Sequence, residues 1–87
     1  MVLDPNEMGA VLNRIKRAQG QLSGVLRMLE EGRDCEDIVT QLAAVSKALD
    51  RAGFAIVASG LHQCLASGEG LDGIDARKME KLFLSLA

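Results

Sequence analysis

Residues 34–66, DCEDIVTQLAAVSKALDRAGFAIVASGLHQCLA, decide the fold. Asp34 is a good helix N-cap, and Asp37 sits where the acidic member of a capping box would. Ile38, Val39, Leu42, Val45, Leu49, Ala52, Ile56, Val57, Leu61 and Leu65 then recur at three- and four-residue spacing. This predicts one long helix from Cys35 to about Ala66, with Gly53 and Gly60 as places where it can kink. Cys35 opens the helix and Cys64 lies near its end. At about 1.5 Å rise per residue the two sulfurs are roughly 43 Å apart. A disulfide needs Cα atoms within about 7 Å, so the two cannot meet in one straight helix. They can meet if two copies pack antiparallel, Cys35 of one against Cys64 of the other. Two-fold symmetry then makes two identical dithiol sites per dimer. Paired thiols across a subunit boundary suggest a chemical sensor.

Upstream, Asp4 followed by Pro5 signals a helix start, and a first helix is expected from about Pro5 to Glu31. Its apolar stripe is Met8, Val11, Leu12, Ile15, Leu22, Val25, Leu26 and Leu29, with Ala18 in the gap. Gly20 and Gly24 inside it suggest close helix approach. Gly32 reads as the glycine that ends this helix. Downstream, Ser67-Gly68-Glu69-Gly70 reads as a loop. A short third helix, roughly Ile74 to Leu86, carries Met79, Leu82, Phe83 and Leu86 on one side. Neither internal repeats nor low-complexity segments interrupt the pattern.

The 87 residues, with two Phe and neither Trp nor Tyr, suit a single domain of packed helices over residues 1–87 rather than a sheet sandwich. So short a chain buries little core alone, and long apolar stripes on a lone hairpin need a second hairpin to cover them. An all-α protomer of three helices, paired as an antiparallel four-helix bundle, is therefore expected. No apolar run reaches the roughly 20 residues of a membrane span, and MVLDPNEMG lacks the regions of a signal peptide. A cytosolic protein is expected, where two cysteines are more often reactive or metal-binding than a structural bridge.

Net charge is −2, yet from Leu12 to Leu29 every charge is basic. Arg14, Arg17 and Gln21 share one stripe, with Lys16 beside it, and Lys47 and Arg51 pair one turn apart in the second helix. Such side chains suit phosphate and base-edge contacts; the plain alternative is a solvated face. Cys35 at a helix start meets free N–H groups that favour an anionic thiolate, while Cys64 at a helix end does not. That asymmetry suits an attacking and a resolving thiol; the plain alternative is two small core residues. His62 is two residues from Cys64, about 200° around the helix, and points away from it. Acid–base pairs, cofactor loops and nucleophile–base pairs are absent from the pattern, so an enzyme is not expected.

Leu12-Asn13-Arg14-Ile15-Lys16-Arg17-Ala18-Gln19-Gly20-Gln21-Leu22, Arg27-Met28-Leu29-Glu30-Glu31, Asp34-Cys35, Gln41-Leu42-Ala43-Ala44-Val45 and Ala48-Leu49 together resemble the copper-sensitive operon repressor (CsoR) family, over residues 8–87. The resemblance implies a helical dimer, usually assembled as a tetramer, that binds operator DNA without a helix-turn-helix and releases it when an inducer reacts between subunits. The DNA-binding side chains would be Arg14, Lys16, Arg17, Gln21, Lys47 and Arg51.

In the copper branch of that family Cu(I) is held by two cysteines and a histidine. The cysteines match Cys35 and Cys64, the histidine position is Gly60, and a glutamate in the outer shell of the site matches Glu80. The tyrosine that often precedes the first cysteine is Asp34 here. Nickel and cobalt sensors need several histidines, and formaldehyde sensors an N-terminal proline beside the cysteine; this chain has one histidine and starts Met1-Val2. The persulfide-sensing, CstR-like branch keeps both cysteines and drops the histidine, and residues 27–35 are most similar to it. The resemblance thus implies a repressor induced by persulfide or polysulfide, with no cofactor. A Cu(I) sensor using Cys35 and Cys64 is the alternative, and a structural helical dimer that does not bind DNA is a second one.

Overall fold

The computed structural model describes residues 2–66 and 76–86. A short 3-10 turn, Pro5–Glu7, precedes three helices: α1 (Gly9–Glu30), α2 (Cys35–Ala66) and α3 (Ala76–Leu86). The first helix is thus divided at its start. Asp4 caps the 3-10 turn by accepting from the Asn6 N–H at 2.9 Å, and Met8 separates that turn from α1. The proline stands where its missing N–H costs nothing. The expected loop at residues 67–70 lies outside the described residues.

The end of α1 follows from one glycine. Gly32 has φ +68°, the left-handed conformation that an L side chain resists. This lets the Arg33 N–H reach the Met28 carbonyl at 3.0 Å and the Gly32 N–H reach the Leu29 carbonyl at 3.3 Å, the paired bonds of a Schellman motif. Two residues later Asp34 caps α2, its Oδ2 accepting from the Glu36 N–H at 3.1 Å. The return bond expected from Asp37 is not formed among the described residues. Gly32→Ala is expected to destabilise the protein by about 1 kcal/mol; the urea unfolding midpoint checks it.

The turn folds α1 back along α2. Met8, Val11, Ala18, Val25, Val45, Ala52 and Val57 are buried; Val11, Ala18 and Val25 of α1 and Val45 and Ala52 of α2 line the seam between the two helices, whereas Val57 falls on the register face of Gly53. The molecule measures 53 × 26 × 12 Å. Twelve ångströms is about one helix with its side chains, so the hairpin is a single layer. A single layer leaves much of its apolar surface outside. Leu26, Leu29 and Val39 are 56%, 58% and 57% exposed. Leu12, Ile15 and Leu22 join the α1 stripe and Leu42 and Leu49 the α2 stripe, all exposed.

The third helix packs on the second half of α2. Met79 is buried, the Phe54 and Phe83 rings lie 5.8 Å apart, and Leu86 rests on Gly53. A Cβ at position 53 would come within 2.6 Å of Leu86 Cδ2, so Gly53 is where α3 closes on α2. Despite the glycines, α2 is one uninterrupted helix. Gly20 and Gly24 mark no such approach within the hairpin: a Cβ there would meet nothing within 4 Å.

Candidate functional site

The helix register of α2 sorts its residues onto faces. Successive residues turn by about 100°, so positions 39, 42 and 49 all lie within about 40° of position 35. Cys35, an exposed free thiol at the first residue of α2, therefore heads the exposed stripe of Val39, Leu42 and Leu49. Position 64 falls about 20° from the same line and position 60 about 20° on its other side, while position 62 falls about 180° away. Cys64 and Gly60 thus share a register face with Cys35. His62 does not: it is exposed and lines a shallow hollow of about 240 Å³ with Glu7, Ser59 and Gln63.

The separation of the cysteines stands at about 43 Å of helix rise, because α2 is continuous through both. One chain cannot close a bridge between them. The α2 face that carries them is covered by α3 near Gly53 and open over its first half. Glu80 lies on α3 and is exposed; it makes no hydrogen bond or ion pair among the described residues.

The opposite side of the layer is cationic. Arg14, Arg17 and Gln21 of α1 and Lys47 and Arg51 of α2 line one cleft of about 310 Å³. Its floor is Ala18, Ala44 and Ala48, small residues over which long cationic stems can lie. Carboxylates do not line the cleft, and none of the four cations has an ion pair among the described residues. The Oε1 of Gln21 is buried there without a hydrogen-bond partner. Lys16, expected from its place in the sequence to act with these residues, is exposed on α1 but does not line the cleft.

On α2, Lys47 and Arg51 lie about 120° and 160° from Cys35 around the axis. The thiol and apolar face is therefore one side of the layer and the cationic cleft is the other. Sequence reasoning named Met8 only as a member of the apolar stripe and did not name Gln63. Gln63 donates from Nε2 to the Met8 Sδ at 3.3 Å, and its Oε1 accepts from the Asp4 N–H at 2.7 Å. Nothing in the pattern marks a contact between residues 55 and 59 positions apart. Among the described residues no helix is long and apolar enough to cross a membrane.

A family model described as metal-sensitive transcriptional repressor matches residues 7–85. The chain is 40% identical over 70 residues to the copper-sensing transcriptional repressor CsoR of Mycobacterium ulcerans, covering 76% of this chain and 60% of that protein. It is 35% identical over 72 residues to the copper-sensing repressor CsoR of Bacillus subtilis, covering 78% of this chain and 71% of that one. With the copper-sensing repressor RicR of Mycobacterium tuberculosis it shares 36% over 69 residues, 77% of this chain and 72% of the relative. The chain thus spans only about three fifths of the length of the M. ulcerans relative. No solved structure gives a significant match.

Proposed function

The chain belongs to the metal-sensitive transcriptional repressor family, and from that membership we propose that it is a DNA-binding repressor with a thiol sensor shared between two copies. The observation that carries the DNA reading is the cleft of four cations around Gln21, with no carboxylate on its lining. Phosphates would neutralise these charges and release counterions. Two hairpins would pack their exposed stripes together as an antiparallel four-helix bundle, and such dimers would pair as tetramers. Each half-exposed Leu carried fully out of water contributes about half of the roughly 1.5–3 kcal/mol of a complete burial, which favours that association. The register of Cys35 and Cys64 on the stripe face would place both thiols at its two ends.

The names of the relatives favour Cu(I) as the inducer. The donor set is compatible with it, because soft thiolates select Cu(I). Cys35 of one copy and Cys64 of the other would hold the ion. A second reading, sulfane sulfur, is favoured by one observation: the position one turn before Cys64 on the thiol face is Gly60, which has no donor. Here the Cys35 thiolate would attack the terminal sulfur of a persulfide, gain that sulfur and expel the thiolate. The Cys64 thiolate of the other copy would then attack the Cys35 sulfur and expel hydrosulfide. The two protein thiols end as a disulfide and the sulfane sulfur is reduced to sulfide.

Cys35→Ala separates sensing from binding under either reading. With a duplex selected from a random pool by the purified protein, affinity is expected within about threefold of wild type, with release abolished. Anaerobic Cu(I) titration and non-reducing intact-mass measurement after glutathione persulfide treatment distinguish the inducers. Stoichiometric Cu(I) with duplex release supports copper. Covalent dimers dependent on both cysteines support sulfur. Release that persists in Cys35→Ala would defeat both.

A further inference from the structure

The start of α1 has no side-chain cap at Met8. It is held from across the hairpin. One carboxamide, that of Gln63, is committed at both ends: Oε1 accepts from the Asp4 N–H at 2.7 Å and Nε2 donates to the Met8 Sδ at 3.3 Å. Met8 is only 7% exposed, so its sulfur lies in the seam. The rest of the seam between α1 and α2 is apolar, through Val11, Ala18, Val25, Val45 and Ala52. Apolar packing is non-directional and tolerates small sliding. Among the described residues the two Gln63 bonds are the long-range side-chain hydrogen bonds that pin the helices in register. Gln63 also precedes Cys64 directly in the chain, and Arg14 lies six residues, or about 9 Å of helix rise, beyond Met8.

We propose that Gln63 is the positioning residue that couples the thiol site to the cationic cleft by clamping the start of α1 to the end of α2. This rests on the repressor reading above. Linking Cys64 to Cys35 of a second copy constrains the last turns of α2. The clamp passes that constraint to the start of α1. Arg14 and Arg17 ride on α1, whereas Lys47 and Arg51 ride on the middle of α2. A shift of one helix along the other changes the spacing of the cations, while the spacing of DNA phosphates stays fixed. The inducer thereby acts on a differential interaction with two helix registers, as coupling requires.

The test uses the whole chain, reduced or treated with anaerobic Cu(I) or glutathione persulfide, and the selected duplex. Wild type is expected to lose roughly 5–150-fold in duplex affinity on treatment, the usual span of such coupling. Gln63→Ala is expected to take up the inducer at both cysteines as wild type does, and to bind duplex when reduced within about threefold of wild type. Its release should fall to about threefold or less, well below the wild-type coupling. Gln63→Glu, which keeps the acceptor for Asp4 but cannot donate to Met8, should recover part of the release. Met8→Leu keeps the apolar volume, removes the sulfur acceptor and asks the same question should Gln63→Ala fold poorly. Full release in Gln63→Ala or Met8→Leu overturns the proposal. So does a loss of reduced-state affinity that Gln63→Glu does not repair, because that marks a structural role. Wild type that binds no duplex, or binds it and is not released, overturns the repressor reading itself and this proposal with it.

Discussion

Reversing two charges of the cleft, Arg17→Glu with Arg51→Glu, is expected to lower duplex affinity by about 10³-fold or more in low salt. Each phosphate that is no longer neutralised should flatten the dependence of log affinity on log salt by roughly one unit. The effect is large because the cleft holds four cations and no carboxylate on its lining. Each substitution both removes an attraction and places a like charge against phosphate. In the proposed assembly it would also be multiplied by every copy that touches the duplex. Fluorescence anisotropy across a salt series is the measurement. Lys16→Glu reverses one charge, half the change of the double variant, within a turn of Arg14 and Arg17 but outside the cleft, and is expected to cost only about threefold, as a long-range screened charge does. A loss in Lys16→Glu as large as that of Arg17→Glu alone would mean that binding follows net charge on α1 rather than the cleft.

Gly60→His is expected to raise Cu(I) affinity by roughly 100-fold or more, since even outer-shell partners of a metal site are commonly worth about 10–100-fold. Position 60 lies on the register face of Cys35 and Cys64, so an imidazole there would add a third donor to the two thiolates. Competition with a chromophoric Cu(I) chelator under anaerobic conditions reads the change. The control is already in the chain. His62 stands about 180° from Cys35 around α2 and lines a hollow with Glu7 and Ser59. His62→Ala is therefore expected to leave Cu(I) affinity within about twofold, because its ring is no part of the donor set. Unchanged affinity in Gly60→His would place Cys35 and Cys64 on different sites. Loss of persulfide-driven covalent dimers in the same variant would show that the imidazole obstructs the path between the thiols.

The helices were legible in the residues because their causes are local. Gly32 is the residue that tolerates a positive φ, Asp34 has an oxygen within reach of the Glu36 N–H, and apolar spacing repeats with the helical turn. The separation of the cysteines follows from the same arithmetic, as does the mismatch of His62 with their face. The division of the first helix at Met8 was less legible. The start of α1 is held by a residue of the other helix, and the local signal at Pro5 is satisfied by a single 3-10 turn. Lys16 is close to Arg14 and Arg17 in sequence yet outside the cleft, because adjacent residues of a helix face different ways.

What the sequence alone determined is the all-helical protomer, the break at Gly32 between its first two helices, the shared face of positions 35, 60 and 64, and family membership. Each depends on backbone periodicity, on local hydrogen bonding or on residue identity at fixed spacing. What only the tertiary structure decided is how α1 lies against α2. That pairing gathers Arg14, Arg17 and Gln21 with Lys47 and Arg51, sets the cationic side of a layer 12 Å thick against its apolar side, and brings Gln63 to Asp4 and Met8. Contacts between residues far apart in the chain depend on which ridges of two helices interlock, and periodicity within one helix does not specify its partner's register.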